Sequence, residues 1–202
     1  MPTRSSWFVG PLILLIRLTG GLWAIFGVAY VINGFTQVGG HVTVTVKPLG
    51  NQVVMPELAL PAGVSLEPPS DRVDLVAWGS TPAEQFLTRA DTLVIGLCAV
   101  AGALLLRWLL DSIREGTPFR DGNARIVRQL AGLLALSALA GAAFPMAAAM
   151  LVLSRIGATD SFHADTPFPY AAVALALIML VLARVFEAGA TFVQDGAPAP
   201  GA

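Results

Sequence analysis

The stretch Asp111–Gln129, DSIREGTPFRDGNARIVRQ, decides how the rest of the chain is read. It holds Arg114, Arg120, Arg125 and Arg128, with Arg107 just before it. On either side the sequence turns apolar, over Ala90 to Leu110 and over Ile126 to about Leu153. A hydrocarbon core of about 30 Å is crossed by roughly 20 helical residues, and each flank is that long. The stretch is therefore expected to be a polar hinge between two membrane-spanning helices.

Composition agrees. Of 202 residues 55% are hydrophobic and only 12% charged, against about a quarter charged in an ordinary soluble domain. Mean hydropathy is +0.73. A net charge of −1 and a pI near 6.1 give no basis for direct nucleic-acid binding. The single cysteine, Cys98, lies in an apolar run and reads as a packing residue.

Working outward, the expected order is an N-terminal segment with the first transmembrane helix over 1–35, a β-rich segment over 36–89 and a second transmembrane helix over 90–110. The hinge follows over 111–125, then a third transmembrane helix over 126–154, a short polar loop over 155–169, a fourth transmembrane helix over 170–187 and a tail over 188–202. The fold class is a mainly α membrane protein with four transmembrane helices and a small extracytoplasmic β-rich insertion between the first and second. Arg17 interrupts the first apolar run. At the bilayer centre an arginine costs at least about 2.5 kcal/mol, so Arg17 belongs near a surface. It either snorkels from a helix starting near Pro11 or precedes a span that begins at Leu18. In the β-rich segment HVTVTVK alternates, with Val42, Val44 and Val46 on one side and Thr43, Thr45 and Lys47 on the other. That is the period of a half-buried strand. Pro48–Asn51 reads as a turn, Gln52–Met55 as a partner strand, and Val64–Glu67 and Arg72–Trp78 as further extended pieces. So small a layer cannot bury a large core alone. It is expected to pack on the membrane surface or against another copy. In the third span Pro145 removes a backbone donor and should kink the helix. The tail after Asp195 should be disordered.

Orientation follows from the arginines. The hinge shares its side with Arg4, Arg17 and Arg184, whereas Lys47, Arg72, Arg89 and Arg155 opposite are outnumbered by carboxylates such as Glu57, Glu67, Asp71, Asp74, Glu84 and Asp91. Positive loops stay in the cytoplasm. The expected location is the bacterial plasma membrane, multi-pass, with both termini and the hinge cytoplasmic and the β-rich segment outside.

Within the hinge, Gly116 can take the left-handed conformation that ends a helix, and Pro118 stops its continuation. Asn123 is placed to cap the third helix. Arg114, Phe119, Arg120, Arg125 and Arg128 are the candidate contacts for a partner or for anionic lipid. Gly116-Thr117-Pro118-Phe119, followed by Asn123 and an arginine-bearing helix start, resembles the cytoplasmic signature of a bacterial membrane family called domain of unknown function 2975. The run LVLARVFEAGATFVQD, Leu180 to Asp195, is similar to that family's closing helix. The Ala-Pro tail departs from its pattern. The resemblance implies a polytopic protein without an established activity, encoded beside small helix-turn-helix regulators, and hence a cytosolic regulatory partner.

No catalytic signature is present: no G-x-S-x-G, no H-E-x-x-H, no phosphate-cradling glycine loop and no Cys/His metal spacing. His41 and His163 are expected to be unrelated surface residues. Catalytic, cofactor and metal residues are thus none. Small-xxx-small pairs, Gly20/Ala24 and Ala99/Ala103 among them, let helices approach closely. The leading expectation is a non-enzymatic signalling or scaffold protein in the lipid bilayer, coupling the external segment to a cytosolic partner, with a homo-oligomer possible. A small transporter or an accessory subunit of an exporter is the alternative, and it requires a polar cavity among the spans.

Overall fold

The computed structural model describes residues 6–49, 72–117, 120 and 122–195. The elements are α1 (Ser6–Thr36), β1 (Val42–Pro48), β2 (Val73–Ala77), α2 (Pro82–Arg114), α3 (Asn123–Ile156), β3 (Phe162–Ala164) and α4 (Tyr170–Asp195). Each helix carries a stretch long and apolar enough to cross a membrane. The chain is a mainly α, four-helix membrane protein with a small β insertion between its first two helices. The pieces expected at Gln52–Met55 and Val64–Glu67, the end of the turn after Leu49 and the tail after Asp195 lie outside the described residues.

The helices are longer than their apolar centres. α2 has 33 residues, about 50 Å at 1.5 Å per residue, against a hydrocarbon core of about 30 Å. Its first turns, Pro82 to Arg89, are therefore helix that carries polar side chains, and α2 starts at Pro82 rather than at Ala90. The start is a capping box. Thr81 N–H donates to Glu84 Oε2 at 2.8 Å, Glu84 N–H donates to Thr81 Oγ1 at 3.2 Å, and Pro82 takes the position where no backbone donor is needed. α1 is continuous from Ser6 through Arg17, so no separate interfacial helix precedes Leu18. α3 likewise runs on through Pro145.

The chain divides into two compact units, one around the α2–α3 hinge and one around the sheet. In the sheet unit the strand order is β2-β1-β3, antiparallel throughout, with Val44 opposite Leu75 and Lys47 opposite His163. The alternation in HVTVTVK is realised: Val42, Val44 and Val46 are buried, and Thr43 and Thr45 are exposed. The three valines pack with Ala77 on Ala148, Ala149, Val152 and Leu153 of α3. The layer thus borrows its core from the end of a helix of its own chain. β3 corrects the expectation of a plain polar loop after Arg155. Gly157, at φ +67°, closes α3 with Ala158 N–H on Leu153 O, and the chain turns back to pair with β1. His41 meets Trp78 in a tilted ring contact, centroids 5.3 Å apart, while His163 lies opposite Lys47, about 20 Å further along the strand. The two histidines do not meet.

In the hinge unit α1 and α2 meet along small residues. A side-chain carbon on Gly20 would stand 3.2 Å from Ala99 O and 3.5 Å from Ala103 Cβ. One on Gly27 would stand 3.0 Å from Leu93 Cα, and one on Gly96 only 2.7 Å from Trp23 O. The small-residue pairs of the sequence thus form a seam within one chain.

Candidate functional site

The hinge is built from two helix ends. α2 stops in a Schellman motif, with Gly116 at φ +74°, Gly116 N–H on Ile113 O at 3.1 Å and Thr117 N–H on Ser112 O at 3.0 Å. The left-handed glycine expected at this position is present. α3 opens at Asn123, whose Nδ2 donates to Ser112 Oγ at 2.7 Å. Ser112 in turn donates to Leu109 O at 2.8 Å. Asn123 and Ser112 are 3% and 4% exposed, so this brace between the two helices is buried. Asn123→Ala removes the bond that Ser112 Oγ accepts while its donation to Leu109 O remains, at a cost of about 0.5–1.5 kcal/mol. A fall in the unfolding midpoint of the detergent-solubilised protein is the expected result.

Beside the brace lies an open cavity of about 540 Å³, lined by Trp108, Asp111, Glu115, Arg120, Asn123 and Arg125 among others. Of the candidate arginines, two line it. Arg120 lies 3.8 Å from Glu115, and Arg125 is exposed with no ion pair among the described residues. The other two are engaged elsewhere. Arg114 is 4.0 Å from Asp111, which Arg107 also approaches at 3.5 Å. Arg128 pairs with Glu187 of α4, as does Arg184 at 3.0 Å. Pro118 and Phe119 lie outside the described residues. Trp108, Ser112 and Gln129 join the site without having been singled out from the sequence. Trp108 is 58% exposed at the rim, which suits an amphipathic ring at a membrane–water boundary.

The sheet unit holds a second polar assembly that the sequence did not reveal. Glu84 is 1% exposed, and its Oε1 accepts from Arg155 Nε at 2.8 Å. Arg155 also donates to Trp78 O at 3.1 Å. Gln85, fully buried, donates through Nε2 to Gln37 O, His41 O and Ser80 Oγ. Arg89, expected at the end of the outer β-rich segment, is instead on α2 and 9% exposed. It bonds Gln37 Oε1 at 2.7 Å and Gln85 Oε1, and lies 5.2 Å over the Tyr30 ring. It crosses α1 at Gly34, where a side-chain carbon would come within 2.8 Å of Arg89 Cδ. A guanidinium buried without a carboxylate among the described residues is held here by amide oxygens and an aromatic face.

A family described as "Protein of unknown function (DUF2975)" matches residues 82–196, more than half of the chain. The match begins at the first residue of α2 and includes α3, β3, α4 and the hinge between α2 and α3. Neither the curated proteins nor the solved structures return a match.

Proposed function

The chain belongs to the DUF2975 family of bacterial membrane proteins, and on that premise we propose that it is a non-enzymatic membrane adaptor whose hinge recruits a cytosolic regulatory protein. The observation that carries this reading is the braced hinge. Its two helix ends are locked by the Gly116 motif and the buried Asn123–Ser112 bond, and beside that lock Arg120 and Arg125, which has no ion pair among the described residues, line an open cavity with Trp108. A loop that served only to set topology needs arginines but no buried brace and no cavity. In this reading the hinge and both termini are cytoplasmic and the sheet is outside, as the arginine distribution favours. α2 carries Glu84 near its start and Asp111 near its end, and α3 carries Asn123 at its start and Arg155 near its end. α2 and α3 are each one continuous helix between these positions.

The test is photo-crosslinking from native membranes with the reactive group at Thr117, which is exposed beside the cavity. Arg120→Gln with Arg125→Gln is the comparison, and it leaves the Arg114 and Arg128 ion pairs intact. Membrane insertion of both forms is checked by cysteine accessibility. A discrete cytosolic protein of helix-turn-helix type, captured by the first and lost from the second, is the expected result. Adducts with lipid or with a second copy alone would sink the reading.

A further inference from the structure

We propose that the sheet unit contains a binding site for a small neutral ligand bearing hydroxyls and a secondary amide, of the N-acylated sugar class, seated on the open edge of β1. The site goes beyond the adaptor reading and does not depend on it. In an antiparallel strand the backbone groups of alternate residues face the same neighbour. Leu49 N–H donates to Ser161 O, so Lys47, Thr45, Thr43 and His41 turn their N–H and C=O groups to the β3 side as well. That edge is closed at both ends. His41 O accepts from Gln85 Nε2 at 3.1 Å, and the β3 ladder stops at Val46 opposite Ala164. Carrying the register on would put Pro167 opposite Thr43, and proline has no N–H to continue a ladder. The pairing of Val46 with Ala164 spends Thr45 O on Asp165 N–H, and no bond from Thr166 or Pro167 carries the ladder on to Thr43. Among the described residues Thr43 therefore keeps a backbone N–H and C=O without a partner, the pair a secondary amide satisfies. One position is too few for an added peptide strand.

The edge opens into a cavity of about 320 Å³ lined by Thr43, Thr45, Thr88 and Thr166, with walls from Pro145 and Pro167. That size matches the lower end of small-molecule pockets. Thr45 Oγ1 donates to Asp74 Oδ1 at 2.8 Å, which leaves its oxygen as an acceptor, whereas Thr88 Oγ1 donates to Glu84 O at 3.0 Å and accepts from Arg89 Nη1 at 3.4 Å. Thr43 and Thr166 form no side-chain hydrogen bond among the described residues and serve as donor or acceptor. The charges at the rim cancel. Arg72 Nε donates to Asp165 Oδ2 at 2.7 Å, and this bond holds the Asp165 carboxyl below the ordinary carboxylate range. A lining rich in hydroxyls, with no net charge and two proline faces, fits a polyhydroxylated neutral molecule better than an ion.

The experiment uses saturation-transfer NMR on the full chain in detergent micelles, with N-acetylglucosamine as the probe and glucose and glucosamine as comparators. Saturation of the acetamido methyl and ring protons of N-acetylglucosamine is expected, with weaker transfer to glucose, which lacks the amide, and to cationic glucosamine. Thr43→Val with Thr166→Val keeps β-branched shape and removes two hydroxyls, and should weaken binding at least about tenfold. Thr43→Ser with Thr166→Ser should restore it. Absence of transfer to N-acetylglucosamine, equal transfer to glucose, or a folded Val variant that binds as tightly as the wild type would overturn the proposal. Capture at the hinge is measured without sugar, so neither outcome here decides the adaptor reading.

Discussion

Glu84→Ala is expected to lower the unfolding free energy by about 3–5 kcal/mol, the range found when one partner of a buried ion pair is removed. Its carboxylate is almost fully enclosed and meets two demands at once. Oε2 takes Thr81 N–H and completes the capping box, and Oε1 takes Arg155 Nε. Losing the first frees a helix-terminal donor, at about 1 kcal/mol. Losing the second leaves Arg155, whose side chain is 27% exposed, with Trp78 O and no carboxylate among the described residues. The two contributions separate experimentally. Glu84→Gln retains an oxygen for Thr81, since glutamine completes a capping box, but it removes the charge. It should therefore recover only the capping share. Arg155→Met combined with Glu84→Gln removes both charges and should cost less than the two single changes added together, because neither is then left unpaired. Chemical unfolding in detergent, followed by circular dichroism, measures all four forms. If Glu84→Ala shifts the midpoint no more than Glu84→Gln, the cap contributes nothing. If the double change is additive, the ion pair does not bind the sheet unit together.

How far this architecture could be read in advance depends on the sequence distance of each interaction. Local patterns were legible. The alternation at Val42, Val44 and Val46 predicts β1 because burial on one face repeats every second residue. Gly116 predicts the end of α2 because only the left-handed region admits the closing bonds from Gly116 and Thr117. The start of α2 was equally local: Thr81-Pro82-Ala83-Glu84 is a capping box with proline at the first helical position. The apolar run beginning at Ala90 obscured it, because hydropathy reports where a helix enters hydrocarbon and not where it begins. β3 has three residues, Phe162–Ala164, too few to show a period, and it exists because Gly157 turns the chain back onto β1. The sorting of the hinge arginines was not legible at all. Arg128 is engaged by Glu187, 59 residues away, and Arg155 by Glu84, 71 residues away. No spacing rule connects such positions, so Arg125 could not be told from Arg128 by inspection. Arg89 misled for a related reason. A cation near an outer segment suggests solvent, whereas the room made by Gly34 and the amides of Gln37 and Gln85 let it lie buried.

Gly96→Leu should cost about 3 kcal/mol or more, because overpacking a tight interface typically costs 1–3 kcal/mol for a few added methylenes and this site offers no room for the first carbon. The obstruction is backbone. The added Cβ would lie 2.7 Å from Trp23 O and 3.0 Å from Ala24 Cα, atoms that no rotamer change can move. α1 and α2 would have to separate, and the contacts of Gly20 with Ala99 and Ala103 would open with them. Gly96→Ala sets two effects against each other. Alanine gains about 1 kcal/mol over glycine in a helix interior, while its Cβ meets the same oxygen. A net loss in the alanine variant therefore shows that close approach outweighs propensity. Gly132→Ala is the matched control, since nothing lies within 4 Å of its added carbon. It should be neutral or stabilising by up to about 1 kcal/mol. The reading is the shift in unfolding midpoint. If Gly96→Leu and Gly132→Ala behave alike, the helices do not touch at Gly96. If Gly96→Leu alone destabilises, the small residues of α1 and α2 serve intramolecular packing, and any second copy must dock on another face.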